Sequence, residues 1–152
     1  MAFMFNDNKS FAKHIQQSGI KAEDGIKDIL KEFEIPHYRP KGIGLKIDYI
    51  IPTNINIGVE VKYQEDGQTA YEKVPHAVYK YVFHNPIKLD ELWILLLGKG
   101  WQQILKSPSG KRILGHIELI QNNTDIDIVV IDNISKFINK LESVEEKEHE
   151  FF

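Results

Sequence analysis

The sequence predicts an α/β fold, in which a mixed β-sheet includes an antiparallel hairpin and is flanked by helices. Two consecutive runs, 45–51 and 57–63, are rich in β-branched and aromatic residues, and five turn-prone residues separate them. A third run, 92–97, is continuously apolar, which is typical of a buried central strand. With 152 residues, 42% of them hydrophobic, the chain is long enough for one domain with its own core.

Two helices are expected before the hairpin. The first is a short segment, 10–18, and the second is 22–33, which ends before Pro36. The second segment has one apolar face, formed by Ile26, Ile29, Leu30 and Phe33.

The hairpin is expected to bring two carboxylates together. If Ile51 and Ile57 close the loop, antiparallel pairing places Asp48 opposite Glu60, with Cβ atoms roughly 5 Å apart. Side chains alternate between the faces of a strand, so the apolar residues of the second strand point inward and its polar residues lie on the other face. The two sets are Ile57, Val59, Val61 and Tyr63 on the inward face and Glu60, Lys62 and Gln64 on the other.

A helix is expected after the hairpin. Thr69 and Glu72 have the spacing of a capping box, and Pro75 is expected to bend the helix or to delay its start. Its apolar stripe comprises Ala70, Val74, Ala77, Val78 and Tyr81.

In the second half of the chain, predicted helices and strands continue to alternate. Gly98 to Gly100 reads as a turn, and 101–121 is expected to be helical with an interruption at 107–110. A short strand is predicted at 127–131.

The chain then ends in a helix and a tail. The predicted helix, 134–141, is capped by Asn133 or Asp132, and the charged tail, 143–152, is expected to be flexible.

The facing carboxylates indicate a metal site. Like charges placed side by side repel each other, so a fold that holds them together needs a compensating charge. Mg²⁺ would supply it, because it binds through one or two carboxylates together with waters and phosphate oxygens. Lys62, on the face of Glu60, is placed to orient or deprotonate a water and to offset charge on a phosphate. The Glu-x-Lys triplet alone indicates little, because it recurs at 145–147 and an exposed Glu-Lys pair is commonly only solvated.

These residues resemble the PD-(D/E)XK nuclease superfamily, and most of all its type II restriction endonucleases. The resemblance rests on Ile47-Asp48, on GVEVKYQ at 58–64, on GQTAYEKVP at 67–75 and on LWILLLGKGW at 92–101. It covers about 21–141, and Ile47 stands where the motif's name has proline. It implies a restriction-endonuclease-like core, with the nuclease domain at 1–142.

The resemblance also implies roles for individual residues. Asp48 and Glu60 would be metal ligands, with the backbone carbonyl of Val61 as a third, and Lys62 would be the catalytic lysine. Gln64 matches a polar position often found in such sites. Glu23 is the candidate for an extra acidic ligand from an N-terminal helix, and an ordinary surface glutamate is the alternative interpretation. The implied activity is a Mg²⁺-dependent DNA endonuclease, with Mn²⁺ as a substitute ion, that leaves 5′-phosphate ends.

Charge and composition limit the other possibilities. The net charge of −3 counts against a tight DNA binder that relies on bulk electrostatics. The absence of cysteine excludes disulfides and thiolate zinc sites, and the histidines lack paired metal spacing. His76 lies on the helix expected just after the second strand, where it either approaches substrate or is an ordinary solvent-facing histidine. Candidate phosphate contacts, each also readable as an ordinary solvated side chain, are Lys46, Lys73, Lys80, Lys99, Lys106, Lys111 and Arg112.

Partners and location follow from the same features. Neither a signal peptide nor a membrane span is predicted, so the expected location is the cytoplasm. The expected partner is double-stranded DNA, bound by a homodimer or by a heterodimer with a larger sequence-reading subunit. Two alternatives stay open: a structure-selective nuclease such as a Holliday-junction resolvase, and a catalytically idle nuclease fold that serves as a DNA-binding or partner module.

Overall fold

The computed structural model describes residues 6–41, 46–65 and 73–150. The helices in this part of the chain are α1 (Asn8–Ser18), α2 (Ala22–Glu32), α3 (Lys73–Phe83), α4 (Lys99–Leu105), α5 (Pro108–Gln121) and α6 (Ile134–Glu150). The strands are β1 (Tyr49–Pro52), β2 (Asn56–Tyr63), β3 (Glu91–Leu97) and β4 (Asp127–Ile131).

The strands form one sheet in the order β1-β2-β3-β4. Strand β1 is antiparallel to β2, whereas β2, β3 and β4 run parallel to one another. Helix α3 lies in the connection from β2 to β3, and α4 and α5 lie in the connection from β3 to β4. The predicted α/β class, a mixed sheet with an antiparallel hairpin and flanking helices, is confirmed.

The hairpin has the predicted register. Ile51 pairs with Ile57, and Tyr49 pairs with Val59. Strand β1 begins at Tyr49, which leaves Asp48 in the position immediately before it. Of the predicted run 45–51, Leu45 lies outside the described residues, and 46–48 precede the strand.

Helices cover both faces of the sheet, which differs from the expectation of one inward and one polar face on β2. On one side, α1, α2 and α6 pack on residues such as Val59 and Trp93. On the other, α3, α4 and α5 pack on Leu92, Ile94 and their neighbours. The face that carries Glu60 is therefore buried, because α3 lies over it.

Of the helices after the hairpin, α4 departs from the sequence prediction at its start, whereas the predicted start of α3 is not tested. The expected capping box at Thr69 and Glu72 lies outside the described residues, and Pro75 lies in the first turn of α3, where a missing N–H disrupts no intrahelical bond. The expected turn at Gly98 is instead the position before α4, which begins at Lys99. Gly98 has a φ of 100°, and a Cβ there would lie 2.2 Å from the carbonyl oxygen of Gln64.

The interruption predicted between α4 and α5 is present as a helix boundary. Ser107 caps α5 by accepting from the Gly110 N–H, and Pro108 occupies the first turn. The helix therefore begins inside the segment expected to be irregular.

The terminal helix is longer than predicted. Asn133 caps it by accepting from the backbone N–H of Lys136, 2.8 Å away, and α6 continues past Leu141 to Glu150. Val144 is buried in the core beside Leu141, so the apolar face extends beyond the expected end at 141. The flexibility of 143–152 stays a prediction. In the part of the chain that the structure describes, no helix combines the length and apolar composition needed to cross a membrane.

Candidate functional site

Asp48 and Glu60 lie opposite each other and share backbone contacts. The backbone N–H of Asp48 donates to Oε1 of Glu60 at 3.3 Å, and the backbone N–H of Val61 donates to Oδ2 of Asp48 at 2.7 Å. Each carboxylate thus accepts from the strand that carries the other. The hairpin register, extended by one position beyond β1, places this pair as the sequence predicted.

Burial makes the pair electrostatically costly. Glu60 is 4% exposed and is the one charged side chain classed with the core among the described residues. Burial, and then the negative charge of Glu60, raise the pKa of Asp48 to about 7, against the lowering effect of the Val61 N–H and of Lys62. Near neutral pH and without a cation, the pair therefore holds a proton that an ordinary aspartate would have lost.

Glu60 has two further partners on its other oxygen. Tyr81 on α3 donates from its hydroxyl to Oε2 at 2.8 Å, and Nζ of Lys62 lies 3.5 Å from the same oxygen. Burial and the charge of Glu60 raise the pKa of Tyr81, so its hydroxyl stays protonated as a donor. The Lys62 side chain is 37% exposed, which leaves its ammonium group able to reach solvent or substrate.

Tyr81 was assigned from the sequence only to the apolar stripe of α3. Val74 and Val78 of that stripe are buried as predicted. A buried tyrosine usually finds a hydrogen-bond partner for its hydroxyl, so its presence in such a stripe was a signal for a polar group on the opposing strand.

The pair of Asp48 and Glu60 forms part of a pocket between the hairpin, α2 and α3. Glu23 from the first turn of α2 lines this pocket together with Asp48, Glu60, Val61 and Lys62. All the predicted site residues except Gln64 are therefore brought to one place.

Glu23 is held near the pocket through its backbone. Tyr49 of β1 donates from its hydroxyl to the carbonyl oxygen of Glu23 at 2.8 Å, and Arg39 donates to the Tyr49 hydroxyl at 3.3 Å. The contact ties the start of α2 to the hairpin. A role for the Glu23 carboxylate as a metal ligand stays a prediction.

Gln64 does not line the pocket. It follows β2, where its N–H donates to the carbonyl oxygen of Leu97 and its own carbonyl oxygen accepts from Gly100. Its Oε1 is buried without a hydrogen-bond partner in the described structure. These contacts connect Gln64 to the start of α4, and its catalytic role stays a prediction.

The candidate phosphate contacts divide into two groups. Lys46, Lys73 and Lys80 line the pocket, as does His76. The other four, Lys99, Lys106, Lys111 and Arg112, do not line it, because they lie on α4, on α5 and at the junction between them. The positive charge at the site thus comes from Lys46 ahead of β1, from Lys62 on β2 and from the lysines of α3.

The donor set suits a hard divalent cation. Two carboxylate groups and a backbone carbonyl supply oxygen atoms, which Mg²⁺ prefers, and leave positions for waters and phosphate oxygens. Among the side chains of residues 6–41, 46–65 and 73–144, no three His, Cys, Asp or Glu gather into a metal-binding cluster. The protein's share would therefore be the pair of Asp48 and Glu60, and not a closed cage.

Comparison with known proteins yields no relative: no family model, no curated protein and no solved structure matches the chain.

Proposed function

We propose that the chain is a Mg²⁺-dependent DNA endonuclease of the PD-(D/E)XK type, built on a restriction-endonuclease-like core. The observation that supports this most is the interlocked pair of Asp48 and Glu60, buried beside Lys62. The mixed sheet with its hairpin is compatible with such a core, although many α/β proteins share these features.

The pair is better explained by function than by stability. A buried carboxylate is destabilising unless it is paired, and a second carboxylate beside it adds repulsion. Lys62, at 3.5 Å from Glu60 and partly exposed, offsets only part of this charge. Groups with strongly shifted pKa values in a cleft are typical of sites that bind ions or carry out chemistry.

Asp48 and Glu60 would hold the divalent ion, with the carbonyl of Val61 as a further ligand. When bound, such an ion offsets the charge of the reacting phosphate and lowers the pKa of a water molecule. Burial and then the charge of Glu60 raise the pKa of Asp48, and the ion's positive charge would oppose both effects.

Lys62 would act on the attacking water and on the phosphate. Its Nζ lies 3.5 Å from Oε2 of Glu60, and the side chain lines the pocket and is partly exposed. From this position the ammonium group can orient the water and stabilise negative charge that develops on the phosphoryl oxygens. Its contribution is therefore greater in the transition state than in the bound ground state.

The charge of the pocket supports a phosphodiester substrate. Four lysines and three carboxyl groups line it, so the lysines outnumber the carboxyl groups by one even when all three are ionised, although the whole chain carries −3. Lys73, His76 and Lys80 lie three and four residues apart on α3, so they share one face of the helix. This stripe spans roughly 10 Å along the helix axis, long enough to follow more than one phosphate of a strand.

Cleavage of DNA tests the proposal. Lys62→Ala should abolish Mg²⁺-dependent cleavage while leaving ion and DNA binding largely intact, since its proposed work is in the transition state. Lys147→Ala, in the second copy of the triplet on α6, is the matched control and should cleave like the wild type. Loss of activity in Lys147→Ala with retention in Lys62→Ala would show that the wrong triplet was assigned.

The choice of substrate separates the remaining alternatives. Linear duplex, supercoiled plasmid and four-way junction DNA should each be offered to the folded protein with Mg²⁺. Preference for the junction would identify a structure-selective nuclease. Binding without cleavage of any of them would identify an idle nuclease fold.

A further inference from the structure

The two oxygens of Glu60 have different surroundings. Oε2 accepts a hydrogen bond from Tyr81 at 2.8 Å and has Nζ of Lys62 at 3.5 Å. Oε1 has a longer contact, from the backbone N–H of Asp48 at 3.3 Å, and the carboxyl groups of Asp48 and Glu60 are themselves in hydrogen-bond contact. Because each carboxylate oxygen can accept about two hydrogen bonds, Oε2 is committed to Tyr81 and Lys62, whereas Oε1 lies on the side of Asp48, where an ion shared by the pair would bind.

Tyr81 is well placed to enforce this difference. Tyr81 belongs to the buried stripe of α3 and is 5% exposed, so packing restricts the movement of its ring. The hydrogen bond joins a helix to the central part of β2, and packing of α3 against the sheet fixes both partners. Such a donor orients the carboxylate in the absence of any ion.

We propose that Tyr81 is a positioning residue that leaves Glu60 one oxygen for a cation and thereby makes the site prefer Mg²⁺ over Ca²⁺. The inference rests on the proposed function, because it takes the pair of Asp48 and Glu60 to be an ion site. Mg²⁺ requires near-octahedral geometry and is satisfied by single carboxylate oxygens, whereas Ca²⁺ takes six to eight oxygens and readily uses both oxygens of one carboxylate. Holding Oε2 in a hydrogen bond therefore disfavours the larger ion.

The chain contains a matched control on the same helix. Tyr79 lies two residues from Tyr81 but is 45% exposed, and its ring contacts Phe83 and His84 instead of the pocket. Tyr81→Phe and Tyr79→Phe each remove one hydroxyl and keep the ring. Only the first removes a contact to Glu60.

Calorimetric titration of Mg²⁺ and of Ca²⁺ into the three proteins tests the proposal without any need for turnover. Tyr81→Phe should weaken Mg²⁺ binding about tenfold, as expected when a group that orients a metal ligand is removed. Its Ca²⁺ binding should change less than threefold, because the released Oε2 becomes available to the larger ion. Tyr79→Phe should bind both ions like the wild type.

Other outcomes separate this proposal from the proposed function. If the wild type binds both ions and Tyr81→Phe changes both affinities equally, or neither, the role of Tyr81 is refuted while the ion site stands. If the wild type binds neither ion, with or without DNA, the ion site itself is refuted, and this proposal with it.

A second measurement keeps the proposal testable if Tyr81→Phe does not fold. In wild-type protein with ¹³C-labelled tyrosine rings, Mg²⁺ should shift the NMR resonance of the Tyr81 Cζ. The Mg²⁺ concentration at the midpoint of this shift should match the midpoint of the calorimetric titration. The Tyr79 resonance should not move. A Tyr81 resonance that does not shift when Mg²⁺ is added would overturn the proposal.

Discussion

Removing the charge of Asp48 should stabilise the protein when no divalent ion is present. Asparagine can keep the hydrogen bond from the Val61 N–H through its carbonyl oxygen, and its amide can donate to Glu60. Asp48→Asn therefore replaces a repulsive pair by a compatible one. A site built only for stability would respond in the opposite direction.

The size of the effect follows from the pKa of Asp48, which rises from 3.8 to about 7 in the folded chain. Each unit corresponds to about 1.4 kcal/mol, which sets a ceiling of roughly 4 kcal/mol on the destabilisation above pH 7. Because the carboxylate is partly exposed, solvent screening lowers the expected gain to ~2 kcal/mol. For a domain of this length such a gain raises Tm by roughly 4–8 °C.

The stability difference between Asp48→Asn and wild type should grow as the pH rises. A raised pKa means that the folded state holds the Asp48 proton more tightly than the unfolded state. The stability that protonated Asp48 contributes is therefore fully present below about pH 4 and is lost as the pH rises through 7. Wild type and Asp48→Asn should therefore have similar stability at pH 4, and the variant should be the more stable at pH 8.

Urea unfolding in EDTA at several pH values measures this difference. Asp125→Asn, at an exposed carboxylate before β4, is the control and should change stability by less than about 0.5 kcal/mol at every pH. A variant that is no more stable than wild type at pH 8, or a difference that does not change between pH 4 and 8, would refute the electrostatic account.

Further predictions concern the ion, the DNA and the chain's end. Binding of Mg²⁺ should release close to one proton at pH 6 and almost none at pH 8.5, as measured by calorimetry in buffers of different ionisation enthalpy; no release at pH 6 would contradict a protonated pair. Lys80→Ala should weaken DNA binding and reduce the salt slope by about one, whereas Lys111→Ala, outside the pocket, should leave the slope unchanged. Val144→Ala should destabilise the fold by about 1–2 kcal/mol, and an unchanged unfolding midpoint would show that the domain ends before it. Sedimentation of the isolated protein should show a homodimer, and this homodimer should linearise supercoiled plasmid. A monomer that cleaves no DNA until a larger subunit is added would support the heterodimer instead. A monomer that cuts both strands unaided would contradict both arrangements.

The register of the hairpin was predictable from the sequence because it depends on local quantities. The loop between Ile51 and Ile57 and the alternation of side chains together determine which residues face each other. The opposition of Asp48 and Glu60 follows directly from them. Helix α2 and strand β4 were predictable for the same reason, since local periodicity and flanking turn residues define both.

The burial of Glu60 was not predictable in the same way. Val59, Glu60, Val61 and Lys62 alternate between apolar and polar, which is the pattern of a strand with one face in water. Helix α3 covers that face, and its placement depends on contacts between segments that are distant in sequence. The role of Tyr81 depends on the same placement.

The start of α4 and the end of α6 show a related limit. Gly98 at positive φ approaches the backbone at Gln64, so a glycine that looked like part of a turn serves a close contact between a strand and a helix. The charged composition after Leu141 suggested a tail, although Val144 continues the buried face of α6. In both cases packing, and not local propensity, sets the boundary.

The measurement that tests the central claim most directly is titration of Mg²⁺ into the metal-free protein, followed by calorimetry, with and without duplex DNA. The matched variant combines Asp48→Asn with Glu60→Gln and keeps the shape of the pair while removing its charge. Saturable binding by the wild type that this double variant loses is the predicted result. Absence of binding by the wild type under both conditions, or equal binding by the double variant, would show that the hairpin carboxylates do not form an ion site.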